Sequence, residues 1–205
     1  SNSFAEVFLI LGTILLRWPM PLTIIQILWL HFLCDGPEDI VLAFEKKEKG
    51  IMAEGPKGIN EPFLNRMYLG LVFFVSLLSG GFSMAAFWHY GILGQNLSLG
   101  RTMAFIMISF SSAIFAIACR SLRRPFWKYE NFWSNKWFFS AIISSLILQI
   151  GVVSLPAARK FFDIVPLGVS EWAVVLGAAL IIVFTVEAIK AWSLKKEKNL
   201  KLRLK

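Results

Sequence analysis

The chain has 205 residues, 57% of them hydrophobic and 17% charged, against about 25% charged in an ordinary soluble domain. A mean hydropathy of +0.64 excludes a soluble globule and points to an all-α integral membrane protein. The formal net charge of +8 is no sign of a nucleic-acid partner, because the basic residues flank apolar segments and form no patch interleaved with stacking aromatics.

Six apolar segments follow one another, at 4–18, 22–44, 64–88, 102–119, 137–155 and 172–191. No low-complexity linker or short-period repeat separates them. The pattern predicts one domain, 1–205, folded as a six-helix transmembrane bundle. The first segment is short. Its length corresponds to ~22 Å of helix, whereas a hydrocarbon core is ~30 Å thick. The expectation is therefore a fragment whose first helix is truncated. The N-terminal stretch lacks a basic leader and a small-residue cleavage site and does not read as a signal peptide.

The second segment carries Asp35-Gly36-Pro37-Glu38-Asp39. Its apolar part upstream of Asp35 reaches only ~18 Å as a helix, so only the whole stretch is long enough to cross. That places Asp35 inside the bilayer, where a lone aspartate costs ~2.5–3.5 kcal/mol and must face protein or water. Gly36-Pro37 predicts a broken second helix, since proline lacks an N–H and disfavours helix in the residue before it. A carboxylate beside a helix break at membrane depth is a way of presenting oxygens to a cation. The alternative is a short helix ending at Leu33, with the pentapeptide as a polar turn.

In the third segment, Ser76, Ser79, Gly80, Gly81, Ser83, Ala85 and Ala86 form a small-residue surface suited to close helix packing. Aromatic residues gather at segment ends, at Trp18, Trp88, Tyr90, Trp127, Tyr129, Trp133, Trp137, Trp172 and Trp192, as in membrane-interface belts, with Trp29 inside its segment as the exception. Of the 21 Lys and Arg, all but Arg17, Arg101, Arg159 and Lys160 fall in alternate connectors and the C-terminal tail. By the positive-inside rule this makes the protein multi-pass with the C-terminus cytosolic, the basic tail serving as an anchor against anionic lipid. Asn96-Leu97-Ser98 matches a glycosylation sequon, a common match that carries no weight.

His31, Cys34 and Asp35 share one helical face by their i, i+3, i+4 spacing, and Asn2 or Ser3 shares another with Glu6. An antiparallel hairpin through residues 17–21 would bring Glu6 and Asp35 together, and two carboxylates in low dielectric invite a cation or a shared proton. His31, Cys34 and Asp35 alone would suit zinc, which gives a further reading as an intramembrane metalloenzyme. Cys34 and Cys119 lie in or beside predicted spans, so no disulfide framework is expected. Glu38 and Asp39 are expected at or near the cytosolic end, as a helix N-terminal charge or as the lining of an ion entry, and Glu187 with Lys190 reads as a surface pair at i, i+3. No Ser-His-Asp set, phosphate loop or nucleotide fingerprint is present.

The run Ile24-Ile25-Gln26-Ile27-Leu28-Trp29-Leu30-His31-Phe32-Leu33-Cys34-Asp35-Gly36 resembles the sixth transmembrane helix of P-type cation-transporting ATPases of the calcium-pump kind. There the usual text is Gln-hydrophobic-Leu-Trp-hydrophobic-Asn-Leu-hydrophobic-Thr-Asp-Gly. The stretches 45–52, 101–105, 119–121, 135–137, 165–167 and 171–172 resemble later landmarks of that family in the same order. The resemblance covers essentially the whole chain. It implies helices five to ten of such a pump, with the fifth partial.

It further implies that Glu6 and Asp35 are ion ligands and that Ser3 stands where an asparagine is usual. His31 replaces an asparagine, Cys34 replaces a threonine, and Ser112 falls where the eighth helix would offer Glu or Gln. The transported cation is Ca2+ or another cation, with protons, manganese and softer metals open because calcium wants six to eight oxygens. ATP and Mg2+ would act only through domains absent from this chain. The implied partners are the lipid bilayer and the remainder of the same polypeptide, helices one to four and the cytosolic domains, in a bacterial plasma membrane. A rival reading is a self-standing membrane carrier or regulatory subunit without ATPase activity.

Overall fold

A computed structural model describes residues 2–44, 66–119 and 135–203. Among them the regular structure is entirely helical: α1 (Asn2–Leu15), α2 (Ile24–Trp29), a π turn, π1 (Leu30–Asp35), α3 (Gly36–Ala43), α4 (Arg66–Ala86), a second π turn, π2 (Phe87–Leu93), α5 (Leu97–Cys119), α6 (Lys136–Ser154), α7 (Pro156–Phe162) and α8 (Val169–Arg203). Among the described residues, four helical stretches are long and apolar enough to cross a membrane: Leu69–Leu93, Leu97–Ile117, Lys136–Ser154 and Val169–Ala191. With α1 and the α2–π1–α3 run packed against them, the chain is an all-α membrane bundle and an integral membrane protein.

α5 is the central helix. Met103, Ala104, Phe105, Ile106, Met107 and Ile108 are all at most 2% exposed, so this stretch is enclosed on every side, as expected of a helix apolar all round. α4 and α8 pack against it, and α1 lies along α4. Many large apolar side chains on the outer faces are exposed, among them Phe4, Phe73, Ile147, Leu180 and Phe184. In water such a surface would be costly, and in lipid it is matched.

The small residues of α4 act where α1 crosses it. A Cβ added at Gly80 would meet the Ala5 carbonyl oxygen at 2.8 Å and the Phe8 ring at 2.9 Å, so only glycine permits this approach. Gly81, one position on, has nothing within 4 Å. Ser76 and Ser83 return their hydroxyls to the carbonyls of Val72 and Ser79 one turn back, which removes their polarity from the interface.

Gly36-Pro37 interrupts the second helix, but by a wide turn and not by unwinding. The Gly36 N–H donates to the His31 carbonyl five residues back, and Asp35 and Gly36 both keep right-handed helical dihedrals. The wide turn answers a steric problem: proline offers no N–H to Leu33 and its ring would strike that carbonyl in a regular α-helix. Pro37 then sits in the first turn of α3, where its missing N–H costs least. At the other end, Thr23 and Gln26 form a reciprocal capping box that starts α2.

One end of the bundle is closed by short loops. Arg101 donates to the Met20 carbonyl and pairs with Asp163 at 3.5 Å. Gln26 donates to the Phe162 carbonyl, and the Val165 N–H donates to the Thr102 hydroxyl. Arg17, Gln95 and Asp163 all turn through positive φ in these loops. Thus Arg17, Arg101 and the α7 region that carries Arg159 and Lys160 share one end. Asn135, which caps α6 and donates to the Val41 carbonyl, marks the other. The basic connectors at 45–65 and 120–134, and the side chains of the tail, lie outside the described residues.

One expectation is corrected. Glu187 and Lys190 form an ion pair of 2.9 Å with both side chains only 2% exposed, so the pair is interior and not on the surface. It belongs to the inward stripe of α8 with Ile182 and Val186. Glu38 stands in the first turn of α3, where a helix N-terminal charge is expected. It is 2% exposed and lies against Ser145 of α6, because α3 continues from π1 and carries its first turn into the bundle.

Candidate cation site

Three elements supply the polar cluster. α1 contributes Asn2 and Glu6, π1 contributes His31 and Asp35, and α5 contributes Ser112. Glu6 is 3% exposed, seated by the close α1–α4 crossing at Gly80. On the facing segment the His31 Nε2 lies 3.1 Å from Glu6 Oε2, and its Nδ1 lies 3.7 Å from Asp35 Oδ2. One ligand atom each from Glu6, His31 and Asp35 fall within 4.8 Å of one another. Two carboxylates and a half-exposed imidazole thus converge at the flank of an apolar bundle.

Asp35 is held by its neighbours. The Asn2 amide donates to both of its oxygens at 3.0 and 3.1 Å, and the Ser112 hydroxyl donates to Oδ1 at 2.9 Å. Three hydrogen bonds from two residues fix the orientation of this carboxylate. Glu6 differs: Oε2 faces His31, while the buried Oε1 has no hydrogen-bond partner. A buried carboxylate oxygen so placed is a ready acceptor for a cation.

Ser3 is exposed on the outer side of α1 and takes no place in the cluster. Asn2 does instead, because it stands one helical turn before Glu6 while Ser3 is rotated about 100° from it. Cys34 belongs to π1, but its side chain lies outside the described residues. A small cavity of about 10 Å³ adjoins the cluster, lined by Asn2 with Ser76, Ser79, Ser111 and Ser112, which is room for about one water. The buried Ser79 and Ser111 hydroxyls have no partner. Sequence reading treated the α4 serines as packing only. Their i, i+3 spacing opposite Ser111-Ser112 is the signal that a polar seam runs between α4 and α5.

Comparison with known proteins adds an independent line. A family model described as "Cation transporting ATPase, C-terminus" matches residues 19–192. The chain is 28% identical over 188 residues to the probable cation-transporting ATPase F of Mycobacterium tuberculosis, covering 90% of this chain and 20% of that protein. It is 27% identical over 194 residues to the mouse calcium-transporting ATPase type 2C member 2, covering 94% of this chain and 20% of that one. It is also 27% identical over 187 residues to a calcium-transporting ATPase of Bacillus subtilis, covering 90% and 21%. The chain therefore spans about a fifth of the length of these curated relatives.

Proposed function

The chain belongs to the cation-transporting ATPase C-terminus family, and from that premise we propose that it is the membrane part of an ATP-driven cation pump and lines the path of the ion. The observation that carries this reading is the convergence of Glu6, His31 and Asp35 from two facing segments of an apolar bundle. In this reading Glu6 and Asp35 bind the cation through carboxylate oxygens. Asn2 and Ser112 orient Asp35, and His31 borders the ion between the two carboxylates.

The remainder of the same polypeptide supplies the other transmembrane helices and the cytosolic domains that use ATP and Mg2+. Phosphorylation there moves the helices and changes the affinity and access of the site, which is how hydrolysis at a distance is coupled to transport. The C-terminus is cytosolic, a placement that rests on the distribution of basic residues, and a bacterial plasma membrane is the reading that the Mycobacterium and Bacillus relatives support.

The test is ion-dependent phosphoenzyme formation by the complete polypeptide in lipid. Wild-type protein should form an acyl-phosphate from ATP only when the transported cation is present, and Asp35→Asn should abolish this. A variant with an unaltered cation titration would sink the assignment of Asp35. Intact-mass measurement of the native product supplies a second check. A product several times longer than this chain supports the pump, and one of this length would favour a carrier without ATP chemistry.

A further inference from the structure

Building on the pump reading, we propose that the cation bound between Glu6, His31 and Asp35 is a first-row transition-metal dication of borderline softness, with Zn2+ as the type ion, and not Ca2+. The placement of His31 carries the inference. Its two ring nitrogens face the two carboxylates, Nε2 at 3.1 Å from Glu6 and Nδ1 at 3.7 Å from Asp35. An ion held between the two carboxylates at the oxygens that face His31 therefore has an imidazole nitrogen beside it.

The chemistry of that donor decides the class. Ca2+ takes six to eight oxygens at about 2.3–2.6 Å and gains little from nitrogen. Imidazole with carboxylate suits zinc and its neighbours, at about 2.0–2.2 Å. Two donors of one such ion in tetrahedral geometry stand roughly 3.5 Å apart. One ligand atom from each of the three groups lies within 4.8 Å of the others, so a contraction of about 1.3 Å brings the set to that spacing.

The Asn2 amide N–H and the Ser112 hydroxyl both donate to Asp35 and serve to aim it, the usual role of groups that hydrogen-bond to a metal's carboxylate ligand. His31 and Asp35 stand one turn apart at i, i+4, and the imidazole is half-exposed, so an incoming ion can reach it.

The experiment uses the complete polypeptide in lipid with metal-buffered Zn2+, Mn2+ and Ca2+, reading phosphoenzyme formation from ATP. Zn2+ should half-activate at a concentration at least tenfold below Ca2+, and His31→Asn, which returns an oxygen donor to this position, should reverse that order. Half-activation by Ca2+ at or below the level needed for Zn2+ in the wild type would overturn the proposal. An unchanged ratio in His31→Asn would do the same.

Co2+ binding followed by its d–d absorption gives a readout independent of turnover. Stoichiometric binding with an intense visible band that is lost in His31→Gln supports the ion assignment even in a preparation that turns over no ATP, and that result would overturn the pump reading alone. A Co2+ spectrum identical in wild type and His31→Gln would overturn the assignment of the metal.

Discussion

Glu6 and Asp35 are set apart from each other by how many protein groups already hold them. Asp35 accepts three hydrogen bonds, from Asn2 twice and Ser112 once, whereas Glu6 faces only His31 and keeps one oxygen unpartnered. Removing a charge that an ion would meet directly forfeits about 1.5–3 kcal/mol per charge-assisted contact, or roughly 10- to 100-fold in affinity. Glu6→Gln should therefore raise the half-activating cation concentration by about that factor in a phosphoenzyme titration. Ser112→Ala should raise it by less than about tenfold, because Asn2 still holds both oxygens of Asp35. Equal effects of the two substitutions would contradict the division of roles between ligand and orienter. Both carboxylates were legible in the sequence because an acidic residue in an apolar segment is conspicuous. The choice between Asn2 and Ser3 was not, since at the first turn of a helix either phase fits the spacing to Glu6. Glu187 and Lys190 misled for the converse reason: an i, i+3 pair reads the same on an outer face as on an inner one, and only the packing of Ile182 and Val186 beside it fixes which.

At the scale of elements, two features position the cluster, the α1–α4 crossing and the wide turn before Pro37. Gly80→Ala places a Cβ 2.8 Å from the Ala5 carbonyl oxygen. Because that atom is backbone, α1 itself must move, at a cost of about 1–3 kcal/mol. A loss of several degrees in the thermal midpoint should accompany weaker cation binding, since Ala5 adjoins Glu6. Gly81→Ala, with nothing within 4 Å, should change neither and serves as the control. Pro37→Ala makes the opposite test. It restores an N–H and favours a regular helix by about 3 kcal/mol of intrinsic propensity, so stability should hold or rise. Regularising π1 would rotate the segment carrying His31 and Asp35 by about 100° relative to α3. Cation affinity should then fall at least tenfold while the protein stays folded, and unchanged affinity would show that the wide turn is incidental. Gly36-Pro37 announced an interruption in the sequence. Whether the chain would unwind or merely widen was settled by the i→i+5 bond from Gly36 to His31, which no local pattern specifies. The seven-residue α7 (Pro156–Phe162) escaped sequence reading altogether, being too short for periodicity to register.

For the whole molecule, the hydrophobic periodicity made the all-α bundle plain, and the centrality of α5 came only from packing: 72% of its apolar window is buried, against 33–39% in the other three long helices. The arrangement of charge gives the bundle two unlike ends. Arg17, Arg101 and α7 lie together at the end tied by the Arg101–Met20, Arg101–Asp163 and Gln26–Phe162 contacts. Asn135 and Val41 meet at the other, next to the connectors that hold the excess of Lys and Arg. If that excess sets orientation, the loop between π2 and α5 faces away from the cytosol. A cysteine introduced at Gln95, in a background with Cys34 and Cys119 replaced by serine and alanine, should react with a membrane-impermeant maleimide added to intact cells. A cysteine at Glu54, in the 45–65 connector, should react only after the membrane is opened. Labelling of both from outside would mean a leaking preparation, which reactivity of a known cytosolic protein would reveal. Labelling at Glu54 alone would invert the bundle. Inversion would place the Asn135–Val41 end of the bundle toward the exterior, leaving the phosphorylating domains of the proposed pump on the wrong side of the membrane, so this single accessibility pattern tests orientation and the pump reading together.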